Sequence, residues 1–143
     1  MKNPLILASS SPYRRELLAR LQLPFSCQSP AINESPLAKE SPIQLALRLA
    51  QQKAAAIALQ EPSAIVIGSD QVAAVNGVLL GKPGTEAKAV QQLMLCTGKS
   101  VIFYTGLCIR HGDTVLSDVV EYSVEFRDFD ENTAQRYIRI EQP

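Results

Sequence analysis

At 143 residues, with 46% apolar and 20% charged side chains, the chain has the size and composition of one globular domain able to bury its own core. Fourteen Lys and Arg balance fourteen Asp and Glu, so the positive surplus that drives duplex binding is absent and nucleic acid is not the expected partner. A single histidine, His111, argues against a His-based zinc site or a Ser-His-Asp triad, and Cys27, Cys96 and Cys108 are too few and too scattered for a disulfide framework. Chemistry is left to carboxylates, Lys, Arg and hydroxyls. No apolar run reaches the length of a signal peptide or a membrane span, so a cytoplasmic location without a membrane partner is expected.

In chain order, Leu5 to Ala8 predicts a short buried strand. Ser11-Pro12 opens a helix with Leu17, Leu18 and Leu21 as its core-facing stripe, and Pro24 ends it. The four prolines Pro24, Pro30, Pro36 and Pro42 place an extended loop around Ser29 to Glu40, after a short strand at Phe25 to Gln28. Ser41-Pro42 repeats the cap-plus-proline signal. The helix it starts runs to about Gln60, with Ile43, Leu47, Ala50, Ala54 and Ile57 on one face. Ala64 to Ile67 forms a second buried strand, ending in Gly68-Ser69-Asp70. Asn76-Gly77, between Val72–Val75 and Val78–Leu80, signals a type I′ hairpin. Thr85 caps a helix through about Cys96, which Gly98 terminates. Ser100 to Arg110 and Thr114 to Arg127 are two long strands joined at His111-Gly112-Asp113. Asp130 caps a last helix in which Ala134, Tyr137 and Ile138 share a face. The order predicts an α/β fold with a mixed sheet flanked by helices, in a single domain over 1–143.

Three polar clusters follow buried strands, where open α/β sheets bind ligands. Ser9-Ser10-Ser11-Pro12-Tyr13-Arg14-Arg15 sits at a helix N-terminus, which favours anions. Two arginines there oppose the helix dipole unless a polyphosphate binds or Glu16 or Glu34 pairs with them. In Gly68-Ser69-Asp70-Gln71, Asp70 is either a loop-capping residue or a metal ligand or base. Lys82, between Gly81 and Pro83, suits a phosphate contact or a plain turn. Glu34 either joins Asp70 in holding Mg2+ or is an ordinary exposed acid. Lys53, at the margin of its helix's apolar stripe, either reaches the strand ends or snorkels to water. Together these residues meet the needs of metal-assisted phosphoryl chemistry: cations for the phosphates, carboxylates for a metal, and a base for water.

Leu7-Ala8-Ser9-Ser10-Ser11-Pro12-Tyr13-Arg14-Arg15-Glu16-Leu17-Leu18, Glu34, Lys53-Ala54, Gly68-Ser69-Asp70-Gln71, Gly81-Lys82-Pro83 and Tyr104-Thr105-Gly106 resemble, in order, the motifs of the Maf family of nucleotide pyrophosphatases. The resemblance implies a two-lobed, inosine-triphosphatase-like fold. It also implies metal-dependent cleavage of a nucleoside triphosphate between its α- and β-phosphates, with Mg2+ or Mn2+ as cofactor. By position, Asp70 is the general base or a metal-linked activator of water, and Glu34 assists Asp70 at the metal. Ser9, Arg14, Arg15, Lys53 and Lys82 hold the polyphosphate. Tyr13 and Gln71 bias base choice toward the 7-methyl-GTP branch rather than the dTTP/UTP branch, which usually carries Arg and Thr there. Family members continue past the helix ending near Arg139 with a glycine-rich closing region. A chain stopping at Pro143 is therefore expected to lack part of its second lobe, and the exposed sheet edge to invite a homodimer. A nucleotide-binding or cell-division regulatory protein without turnover is the alternative.

Overall fold

The computed structural model describes residues 3–81 and 84–141. In chain order its elements are β1 (Leu5–Ala8), α1 (Pro12–Ala19), β2 (Ser26–Cys27), α2 (Pro42–Gln60), β3 (Ile65–Val75), β4 (Val78–Leu80), α3 (Glu86–Cys96), β5 (Ser100–His111), β6 (Thr114–Glu125) and α4 (Glu131–Glu141). One mixed sheet runs β2-β1-β3-β5-β6, with β4 paired to β3. β1 lies parallel to β2 and to β3, where Ala8 pairs with Gly68, and β4 returns antiparallel along β3. The expected α/β class and mixed sheet are present.

The chain divides into two compact units. One comprises the chain up to Gln71 together with Thr105–Val120, and the other Val72–Tyr104 and the chain from Glu121. In the first, Ile6, Ala8, Ala50, Ala54, Ile57, Ala64, Val66 and Cys108 form the core, so α2 packs on β1, β3 and β5. The packing is unusually close. A methyl group added at Gly68 would lie 2.2 Å from the Ala50 carbonyl oxygen, and one at Gly106 2.3 Å from that of Ala46. Two strands thus meet successive turns of one helix through glycines. In the second unit, Val75, Cys96 and Val101 pack with Phe103 and Phe126, while Val90 of α3 meets Ala134 and Ile138 of α4.

Several local expectations change. The buried face of α2 is Leu45, Ala46, Leu49, Ala50, Lys53, Ala54 and Ile57, whereas Ile43 is exposed and Leu47 half-buried. The helix turns its small side chains, not its largest, toward the glycines, because only those permit the close approach. α1 ends at Ala19 and buries no residue; Leu17 and Leu21 are exposed. β2 is shortened to Ser26–Cys27, and β6 stops at Glu125. On α4, Ala134 and Ile138 are buried but Tyr137 is not. β3 does not stop at Ile67: it continues through Gly68-Ser69-Asp70 into the hairpin, where Asn76 and Gly77 take φ of 50° and 78°. Gly68 keeps an ordinary strand φ, so it serves contact with α2 and not a turn.

Helix starts follow the expected caps. Ser41 and Gln44 close a reciprocal capping box, the Gln44 N–H donating to Ser41 Oγ at 3.1 Å and the Ser41 N–H to Gln44 Oε1 at 3.0 Å. Ser41→Ala is expected to cost about 1 kcal/mol, read as a drop in Tm of a few degrees in thermal melts. An unchanged Tm would show that packing alone sets the start of α2.

Candidate functional site

The close approach at Gly68 places the site. Asp70 lies two residues beyond Gly68 on β3 and so faces α2 as well. Lys53 lies nearly one turn beyond Ala50 on α2. Their side chains meet: Lys53 Nζ is 2.9 Å from Asp70 Oδ1. Each residue is only 8% exposed. The same ammonium stands 3.1 Å from Glu34 Oε1 and 3.5 Å from the Ser69 carbonyl oxygen. Lys53 therefore does not snorkel, and Asp70 is not a loop cap but a buried mid-strand carboxylate. Glu34, 41% exposed at its side chain, approaches from the loop before α2.

Two carboxylates on one ammonium leave the cluster net negative. Their oxygens and the Ser69 carbonyl form a hard donor set of the kind that suits Mg2+ or Mn2+. Among the described residues no group of three or more His, Cys, Asp or Glu is placed to hold a metal. A cation at Asp70 and Glu34 would thus complete its shell with water and phosphate oxygens, as Mg2+ commonly does.

The serine cluster forms a second feature in the same unit. Ala8 pairs with Gly68, so β1 gives way to Ser9 beside the point where β3 carries on to Asp70. Ser9 is buried, and its Oγ accepts the Ser11 N–H at 3.0 Å. Ser11 caps α1, its Oγ accepting the Arg14 N–H at 3.4 Å. A recess of about 320 Å³ is lined by Ser9, Ser10, Ser11, Arg15, Cys27 and Ser29. Hydroxyls, a guanidinium and the start of a helix surround it, the chemistry of an anion site. Arg14 is half-buried at the same helix start. Tyr13 is 81% exposed, its ring available for stacking. Gln71 is oriented by Thr105, its Nε2 donating to Thr105 Oγ1 at 3.2 Å. Lys82 lies outside the described residues.

Arg48 and Glu40 escaped sequence reasoning. Arg48 Nε and Nη2 donate to the two Glu40 carboxylate oxygens at 2.6 and 3.0 Å, a bidentate pair. The Arg48 hydrogen bonds hold the Glu40 carboxyl below its ordinary pKa, and Glu40 in turn raises that of Arg48. A depressed carboxyl pKa means that the pair's stabilisation is present at neutral pH and is lost as pH falls through the lowered value. Eight residues separate the partners across a helix cap, a spacing that no local motif marks. Burial raises the Cys96 and Cys108 thiols, as expected of inert core cysteines. No described helix is long and apolar enough to cross a membrane.

The family model described as Maf-like protein matches residues 4–143. A protein of Methylobacillus flagellatus named 7-methyl-GTP pyrophosphatase is 56% identical over 142 residues, covering 98% of this chain and 74% of its own length. One of the same name from Pseudomonas aeruginosa is 51% identical over 141 residues, covering 97% and 73%. Among solved structures, a HAM1 protein from Coxiella burnetii superposes with a TM-score of 0.56 at 16% identity, over 87% of this chain and 73% of that one. The Staphylococcus aureus Ham1 protein gives 0.58 at 14% identity, over 85% and 70%. At such identities the two structures speak to the fold alone.

Proposed function

Since the chain belongs to the Maf family, we propose that it is a nucleoside-triphosphate pyrophosphatase that adds water across the α–β phosphoanhydride, giving a nucleoside monophosphate and pyrophosphate. The observation that carries the reading is the buried Lys53–Asp70 pair, joined by Glu34 at 3.1 Å, in the unit that also holds the serine-and-arginine recess. Asp70 takes the proton of the attacking water, a role that needs a carboxylate held in fixed geometry. Lys53 fixes that carboxylate through Oδ1 and supplies positive charge toward the phosphates. Ser9, Arg14 and Arg15 neutralise the remaining polyphosphate charge, which orients the bond to be broken. Asp70 and Glu34 hold a divalent cation, Mg2+ or Mn2+, which when bound offsets negative charge as it develops on the phosphate oxygens.

The substrate within this reading is 7-methyl-GTP, the nucleotide named in relatives about half identical to this chain. The exposed Tyr13 ring suits it, because a methylated guanine is cationic and stacking on an aromatic face adds a cation–π term. Gln71, steadied by Thr105, offers an amide for the base edge. The enzyme acts in the cytoplasm on a free nucleotide, without membrane or nucleic acid, and light scattering of the purified chain tests for a homodimer.

The test is pyrophosphate release from 7-methyl-GTP, GTP, UTP and dTTP with Mg2+, with Mn2+ and with a chelator. Release that needs metal and is fastest for 7-methyl-GTP is the expected result. A preference for UTP or dTTP would move the chain to the other branch. No release from a cooperatively folding sample would leave a nucleotide-binding protein.

A further inference from the structure

Glu34 sits in an irregular segment between β2 and α2 in which residues 33–39 are all exposed. A free loop of this kind would hold no carboxylate in place. Beside the pairing of Glu34 itself with Lys53, Arg48 ties the segment down. Its Nη2 donates to the carbonyl oxygen of Ser35, the residue directly after Glu34, at 3.0 Å. Through Nε and Nη2 it also grips Glu40, whose Oε1 accepts the Leu37 N–H at 3.0 Å. Its Nη1 donates to Gln52 Oε1 at 3.1 Å, which braces the guanidinium along α2. Asn33 completes the arrangement locally, its Oδ1 accepting the Ser35 N–H at 2.9 Å. One planar group thus fastens the loop immediately after Glu34 and again at Glu40, on the helix that carries Lys53 five residues on.

We propose that Arg48, with Glu40, is a positioning residue that holds Glu34 against Lys53 and Asp70 by way of the Ser35 carbonyl. The inference rests on the reading of Glu34 and Asp70 as metal carboxylates. Lysine cannot replace Arg48, because a single ammonium cannot span a bidentate carboxylate, a carbonyl and Gln52 together. Without the clamp the loop samples other conformations, and Glu34 contributes to the metal only in the fraction of time it is in place.

Arg48→Lys and Glu40→Gln in the full chain are compared with wild type by amide hydrogen exchange and by Mn2+ titration followed by electron paramagnetic resonance, both without nucleotide. The expected result for each variant is exchange about tenfold faster at Ser35 and Leu37, with the α2 core amides unchanged, and Mn2+ affinity about tenfold weaker. The double variant is expected to be no worse than either single one, because the two residues act as one clamp. Unchanged exchange in the loop, or Mn2+ affinity within about twofold of wild type, overturns the positioning role. Neither readout needs turnover, so a wild-type chain that releases no pyrophosphate sinks the proposed function without touching this test.

Discussion

Asp70→Asn lowers pyrophosphate release about a thousandfold while leaving a folded protein, the largest loss of activity expected from any single substitution in this chain. The substitution keeps volume, and the amide oxygen can still accept from Lys53 where Oδ1 now stands at 2.9 Å. It removes the negative charge, and with it both the ability to take a proton from water and most of the attraction for a divalent cation. The fold tolerates this because Lys53 retains a carboxylate neighbour in Glu34 at 3.1 Å. Asp70→Ala is a poorer probe. It leaves a buried ammonium short of its nearest partner, a defect of a few kcal/mol that mixes unfolding with lost chemistry. The measurement is the initial rate of pyrophosphate release at saturating metal, beside a thermal melt of the same sample. A rate within about tenfold of wild type would remove Asp70 from the role of base, since a positioned general base contributes at least a hundredfold.

Features set by neighbours along the chain were legible in the sequence. Ser11, Ser41 and Thr85 all cap helices, since a cap needs only an oxygen and an N–H two or three residues away. Asn76-Gly77 makes its hairpin for a similarly local reason, both residues accepting positive φ. The gathering of Lys53, Asp70 and Glu34 was expected from the resemblance, and their residue types alone had left alternatives open. What stayed hidden depends on partners far along the chain. Apolar spacing puts Ile43 and Leu47 on the core face of α2, whereas Leu45 and Ala46 are buried there instead, because the helix meets Gly106 and Gly68, distant strand residues with no side chains. α1 carries the leucine spacing of a core helix, yet it buries no residue, because spacing alone does not supply a surface to pack on. Arg48 and Glu40 carry no signal in the sequence, because their pairing exists only when loop and helix are already folded.

Gly68→Ala tests the link between packing and chemistry, and the sign of its effect separates two accounts of that glycine. If Gly68 merely interrupted a strand, alanine would stabilise by about 0.4–1 kcal/mol, because it restricts the unfolded chain and no positive φ stands in the way. The close approach predicts the reverse. The new methyl would lie 2.2 Å from the Ala50 carbonyl oxygen and 2.8 Å from the Ala54 nitrogen, both backbone atoms that no rotamer change can move aside. α2 must lift off β3, at an overpacking cost of about 1–3 kcal/mol, or a fall in Tm of up to roughly 10 °C. The same displacement pulls Lys53 away from Asp70, because the two residues sit just beyond the contact on helix and strand. Pyrophosphate release is therefore expected to fall well beyond what the lost stability explains at a temperature where the variant is folded. Gly81→Ala is the control for the melt, since a methyl there meets nothing within 4 Å and no positive φ opposes it, so its Tm should hold or rise slightly. A Gly68→Ala protein that melts higher than wild type and keeps its activity would show that the glycine does not set the distance between α2 and β3, and the Lys53–Asp70 pair would then need another origin.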